Sequence, residues 1–248
     1  MTKPSVAIPL LAVALGAASA QAAPYPGNQG LSWADIAKLP PVNGIYEASP
    51  QNAPKNGQRQ VAPVFTPPAA AELAAYQAKK IEDTDAANCV PPGMPRIMSW
   101  PYPVQVLLTP GEVTLVLEGD MQVRHIHTDG RGHPADPDLT FNGDSIGHWE
   151  GDTLVVDTVG LAPQAAIAQG VTHSKAEHIV ERFRLSDPNV LEVQTRVEDP
   201  GVLAKPWEFS ARYTRHPDWS IAEYICEQNN RNSVAANGKA GINLDLKN

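Results

Sequence analysis

From Val104 onward the chain alternates. The segments "VQVLLT", "EVTLVLE", "MQVRHIHT", "HWEGDTLVVDTV", "EHIVERFRL", "VLEVQTRVE", "WEFSARYTR" and "SIAEYICEQ" are rich in β-branched and aromatic residues. Between them stand Pro110-Gly111, Glu118-Gly119-Asp120, Asp129-Gly130, Glu150-Gly151-Asp152, Asp187-Pro188-Asn189, Asp199-Pro200-Gly201 and His216-Pro217-Asp218. Glycine, proline and aspartate at these points favour tight turns. Short alternating segments divided by turn signals predict antiparallel strands. Only "PQAAIAQG" offers a helical alternative, so the pattern argues against a parallel βαβ sheet. One open sheet would leave a bare face and two open edges, and closure removes both. The expected fold is therefore all-β: an antiparallel, lipocalin-like meander barrel of roughly eight strands.

The region before the strands has a different character. Lys3, the apolar run Val6 to Leu15 and the small residues Ala18-Ser19-Ala20 have the order of a secretory signal peptide over residues 1–22. The run is too short to cross roughly 30 Å of hydrocarbon, and no later segment is long and apolar enough to do so. The expected location is periplasmic or secreted, with a mature chain beginning near Gln21 or Ala23. Residues 23–88 read as a proline-rich arm that flanks or plugs the barrel. "SWADIAKL" can form a short helix capped by Ser32, with Asp35 in the capping-box position. Thr66, Pro67 and the alanine-rich run after them predict a helix over about 66–82. Residues 89–232 are expected to form the barrel domain and residues 233–248 a flexible tail.

The formal charge of −8 becomes one unit more negative when Lys3 is removed. Such a chain repels phosphate backbones and anionic lipid, which argues against a nucleic-acid partner and against membrane insertion. Cys89 and Cys226 are the only cysteines. In an oxidising compartment an even pair reads first as a disulfide. A reactive thiol would need an activating neighbour, and "AEYICEQ" surrounds Cys226 with acidic groups that disfavour a thiolate.

Residues 127–158, "HTDGRGHPADPDLTFNGDSIGHWEGDTLVVDT", hold most of the remaining chemistry. Gly143-Asp144-Ser145-Ile146-Gly147 matches G-x-S-x-G, but a hairpin follows it, not the helix that a nucleophile elbow requires. Glu150-Gly151-Asp152 reads as a hairpin turn beside the large apolar Trp149. Asp129, Asp136 and Asp138 surround His133 without the spacing of an EF-hand, and Asp-Gly and Asp-Pro are ordinary turn pairs. A divalent metal, were one used, would draw on His133, His173 and His178; no other cofactor is indicated.

The later strands carry an anomaly. In "HIVERFRL", period two places Glu181 on the same face as Ile179, Phe183 and Leu185. In "SIAEYICEQ" it places Glu223 with Ile221 and Ile225. Both carboxylates are therefore expected in the lumen, where an unpaired charge costs several kcal/mol, about 3–5 if its partner is lost. A structural Glu–Arg pair would compensate, Arg124 and Arg131 being available in charge. The functional alternative is a lumen site in which Glu181 and Glu223 work as acid and base with His178 or His133. Arg131, Arg124, Glu150, Trp149 and His173 would line the substrate.

The blocks "RHIHTDGRGHPADPDLTFNGDSIGHWEGDTLVVDTVG", "THSKAEHIVERFRL", "DPGVLAKPW" and "EYICEQNNRN" resemble an uncharacterised family of exported proteobacterial proteins, over roughly Cys89 to Asn232. The resemblance implies a secreted single-domain protein and implies no particular reaction. The family pattern has histidine where this chain has Asp144, and tyrosine where it has His127. Two functions follow as expectations. One is an exported barrel-lumen enzyme doing acid–base chemistry (hydrolysis, elimination or isomerisation) on a small organic molecule. The other is a non-catalytic binder of a small apolar or aromatic ligand.

Overall fold

A computed structural model describes residues 30–48, 62–78, 88–168, 170–229, 233–234 and 240–241. The expected signal peptide over residues 1–22 lies outside them, as do most of the C-terminal tail and residues 79–82 of the anticipated helix. The arm supplies helix α1 (Trp33–Ile36), strand β1 (Gly44–Ala48) and helix α2 (Pro67–Ala78). Then follow β2 (Pro103–Thr109), β3 (Glu112–Leu117), β4 (Gln122–His127), β5 (Asp144–Glu150) and β6 (Thr153–Val159). A small hairpin of β7 (Ala166–Ala168) and β8 (Val171–Thr172) precedes β9 (His178–Asp187), β10 (Val190–Glu198) and β11 (Trp207–Arg215).

Nine strands close into a barrel in the order β1-β11-β10-β9-β6-β5-β4-β3-β2. The all-β barrel with a short helix is thus the fold, with two refinements. β1, from the arm, completes the wall between β11 and β2, so the arm is part of the barrel as well as its flank. β4 and β5 pair in parallel, Ile126 opposite Ser145. Residues 128–143 are long enough to return the chain along the barrel, which a parallel neighbour requires and a tight hairpin forbids. "PQAAIAQG" is not helical: Ala166–Ala168 forms β7, and its hairpin partner presents Gly170 to α2. A Cβ on Gly170 would stand 2.2 Å from Tyr76, so glycine there allows helix and hairpin to meet.

Inward side chains fill the barrel. Val104, Val106 and Leu108 of β2 face Val113, Leu115 and Leu117 of β3, and all are buried. Leu154 and Val156 of β6, Ile179 and Phe183 of β9, and Leu191, Val193 and Val197 of β10 complete the apolar lining. Two voids remain. One lies against Trp149 and Phe183 and the other against Tyr46 and Tyr213, each about 10 Å³. Each has the room of a single water, so the apolar lining around both is closely packed.

The segment expected as the last strand, "SIAEYICEQ", is not a strand. Residues 220–225 run without regular structure, and Cys226–Asn229 is a short helix. Both edges of β11 are already occupied, by β10 and β1, so no ladder is open to it. The segment instead leans on the barrel end: Ala222 N–H donates to Glu118 at 2.8 Å, and the Tyr224 ring lies 5.3 Å from that of Tyr102. Cys226 bonds Cys89, with Cα atoms 5.6 Å apart and a sequence separation of 137. Replacing both cysteines by serine is expected to lower stability by about 2–4 kcal/mol, read as a lower urea midpoint, because the bridge restricts the unfolded chain.

Candidate functional site

The structure separates the expected site residues into three places. Within the wall, Arg124 of β4 points inward and meets Glu181 of β9, Nη2 to Oε2 2.5 Å, both side chains fully buried. Arg124 also donates to Thr158 Oγ1 at 2.9 Å and to Ser145 Oγ at 3.2 Å, and the two hydroxyls bond each other at 2.9 Å. Four adjacent strands thus contribute one polar side chain each to a belt through the core. Among the described residues Arg124 Nη1 and Glu181 Oε1 have no hydrogen-bond partner. Tyr213 lies nearby and its hydroxyl donates to the Met98 carbonyl. Burial first, and the Glu181 charge second, push that phenol well above its ordinary range. Glu181 is therefore in the lumen, opposite the compensating Arg124, and fully buried.

Glu223 is not with it. It is exposed, off the barrel, for the reason already given: its segment has no strand to pair with. Ser145 is buried in β5 and engaged by Arg124, far from the geometry of a nucleophile elbow. The flanking glycines have packing reasons instead. Gly143 has φ +71°, and a Cβ there would meet the Val159 carbonyl at 2.6 Å.

The second place is the barrel's outer wall. Period two that turns Val156, Thr158, Ile179 and Glu181 inward turns Asp157 and His178 outward, and Asp144 begins the neighbouring strand on the same side. His133 comes back from the loop over residues 128–143 to meet them. Its Nδ1 lies 2.5 Å from Asp144 Oδ1 and its Nε2 lies 3.0 Å from Asp157 Oδ1. His178 Nε2 is 2.9 Å from both oxygens of Asp157. Two imidazoles and two carboxylates thus form one contiguous chain. The four side chains retain between 20% and 39% of their exposure, so the cluster is held yet open to solvent. Arg131 stands two residues from His133 and is paired with Asp129 at 2.5 Å, which holds that carboxyl below its usual range. Asp136 and Asp138 are exposed and make no cluster with His133.

Glu150 and Trp149 lie farther along β5. Glu150 pairs with Arg182 at 2.7 Å and with His148 at 3.2 Å; the bond from Arg182, then that from His148, keeps its carboxyl low. Trp149 points into the core beside one of the small voids and lines no open pocket.

The third place is an interloop cluster at the foot of β9. His173 is buried, its Nδ1 2.8 Å from the Ser174 carbonyl and its Nε2 2.7 Å from the Ala162 carbonyl. It stands apart from His133 and His178, so the three histidines that sequence spacing offered to a metal do not meet. Glu177 is buried beside it, with neither carboxylate oxygen hydrogen-bonded. Burial, reinforced by the charge of Asp199, raises the Glu177 carboxyl to about 8. Asp199 receives the Ser174 backbone N–H and hydroxyl, both at 2.6 Å, and the Gly201 N–H at 3.0 Å.

Asp144 and Asp157 are the cluster side chains that the sequence reading does not single out as site residues, and Asp157 carries the clearer signal. The signal was present in "TLVVDTV": an aspartate in mid-strand, on the face opposite the core, with no turn to explain it.

Fold and side chains together define a disulfide-bridged β-barrel protein with a filled interior and a His–Asp cluster on its outer wall. Comparison with family models, with curated proteins and with solved structures finds no match.

Proposed function

We propose that the chain is an exported enzyme that does acid–base chemistry on a small organic molecule, with its working groups on the outer wall at His133, Asp144, Asp157 and His178. One observation carries this reading: both ring nitrogens of His133 face carboxylates, and His178 shares one of those carboxylates from the other side. A carboxylate that fixes an imidazole's tautomer and orientation is the recurring support for proton transfer by histidine. A water or substrate at the open side of Asp157 would meet groups able to accept one proton and deliver another. Hydrolysis, elimination and isomerisation all need that pair of transfers. The exported location is supported by the apolar start of the sequence and by the disulfide, and it agrees with the resemblance to exported proteobacterial proteins.

The packed interior weighs against a lumen site and equally against an apolar ligand carried inside the barrel, since each void takes about one water. Thermal-shift screening of purified protein against esters, phosphoesters, hydroxy acids and enolisable ketones, followed by turnover assays on the hits, tests the proposal. His133→Ala and His178→Ala are expected to lower kcat/KM by about 10²-fold each, the usual contribution of one acid or base. Turnover of a hit that survives both substitutions and Asp157→Asn unchanged would remove the outer wall from the chemistry.

A further inference from the structure

We infer that His133 Nε2, His178 Nε2 and the Asp157 carboxylate bind one divalent transition-metal ion of the Zn²⁺ type, with Asp144 holding the His133 ring from behind. Binding stands on the geometry of these four side chains; a catalytic use of the ion rests in addition on the proposed activity.

Asp144 accepts the proton of His133 Nδ1 at 2.5 Å. The other nitrogen, Nε2, then either carries a second proton, making the ring cationic, or presents a lone pair toward Asp157. His178 brings a second Nε2 to the same carboxylate oxygen, so two ring nitrogens converge on Asp157 Oδ1 at 3.0 and 2.9 Å. Without an ion, the carboxylate accepts both N–H groups, that of His133 at Oδ1 and that of His178 at either oxygen, 2.9 Å from each. With an ion, both nitrogens offer lone pairs and the carboxylate neutralises the cation. Carboxylate–histidine–metal chains of this kind are how metal-ligating imidazoles are ordinarily oriented.

Distances favour the exchange. Tetrahedral zinc with bonds of about 2.0–2.1 Å keeps neighbouring ligand atoms about 3.3 Å apart. The observed nitrogen–oxygen separations need to widen by only a few tenths of an ångström. Among the described residues no group of three such side chains is already spaced to hold an ion, so both rings must draw back from the carboxylate for one to enter. Asp144, Asp157 and His178 sit on the adjacent strands β5, β6 and β9, so the frame is rigid while His178 and Asp157 keep over a third of their exposure for an ion to enter. Two nitrogens and one carboxylate leave the remaining position to water or substrate, as in open metal sites.

Titration of chelator-treated, full-length exported protein with ZnCl₂ in a calorimeter tests this. One equivalent is expected to bind. Asp144→Asn should weaken it about 10–100-fold, the range for an outer-shell partner, and His133→Ala, His178→Ala and Asp157→Asn should exceed that range. His125→Ala serves as the control, because His125 forms a separate pair with Glu112 at 2.8 Å on the outer face of β3 and β4. Circular dichroism confirms that each variant is folded; should His133→Ala not fold, His178→Ala and Asp157→Asn carry the test. Failure to take up one equivalent overturns the site, and so does uptake that Asp157→Asn and His178→Ala leave intact. Turnover that persists in chelated protein would leave the acid–base reading standing and deny the ion a part in it. Binding that obeys the variants without any turnover would do the reverse.

Discussion

Replacing Arg124 by methionine will lower folding stability by about 3–5 kcal/mol, and replacing Arg124 and Glu181 together will restore most of the loss. The asymmetry follows from where the pair sits. Both side chains are fully buried, and Arg124 is the only cation within bonding distance of the Glu181 carboxylate among the described residues. Removing the guanidinium leaves an ionised carboxylate in an apolar wall, lined by Ile179, Phe183 and Val156, with no counter-charge. Removing both leaves no charge to compensate, and the Ser145 and Thr158 hydroxyls still bond each other at 2.9 Å. Urea unfolding of the single and double variants measures the difference, with the midpoint moving and the slope unchanged. A single variant within 1 kcal/mol of the parent, about the spread of ordinary surface substitutions, would mean that Glu181 does not carry a buried charge.

That pair also marks how far the sequence could be read. Period-two alternation puts Glu181 inward with Ile179 and Phe183, and the cost of a buried charge requires a partner, of which Arg124 is one the sequence offers. The same alternation argument failed at Glu223. Periodicity records which residues would share a face if a strand formed; whether a strand forms depends on an open edge, and β1 and β10 occupy both edges of β11. β1 itself was hidden because "GIYEA" is too short, and too embedded in proline-rich chain, to stand out as a strand. The outer-wall cluster was half visible. His133 and His178 were marked by residue type, but Asp157 faces away from the core, and outward polar residues of a barrel are ordinary. What joins them is the path of residues 128–143, which brings His133 back over β5 and β6. Loop paths leave no periodic trace.

Stability will fall as pH rises from about 4.5 to 8, and Glu177→Gln will flatten that fall. In the folded chain the Glu177 carboxyl is raised from 4.5 to about 8, by burial first and by the Asp199 charge second. Between those values the folded state holds a proton that the unfolded state has released. Stability then decreases with pH, because its slope follows the excess of protons bound by the unfolded chain over the folded one. Below about 4.5 both states are protonated and nothing is lost. Above about 8 both are ionised and the full loss, roughly 5 kcal/mol, has been incurred. His173 does not relieve it. Its Nδ1 lies 3.4 Å from Glu177 Oε2 but is engaged by the Ser174 carbonyl at 2.8 Å, and neither Glu177 oxygen receives a hydrogen bond. Glutamine keeps the shape and removes the proton. Any constant offset between the two proteins at low pH reports the cost of burying the amide, and the difference in slope reports Glu177 alone. Urea midpoints taken across pH 4.5 to 9 on metal-free protein give both curves. Parallel curves would show Glu177 exchanging its proton freely with solvent, and the segment from His173 to Glu177 would then be open where the structure has it closed against Asp199.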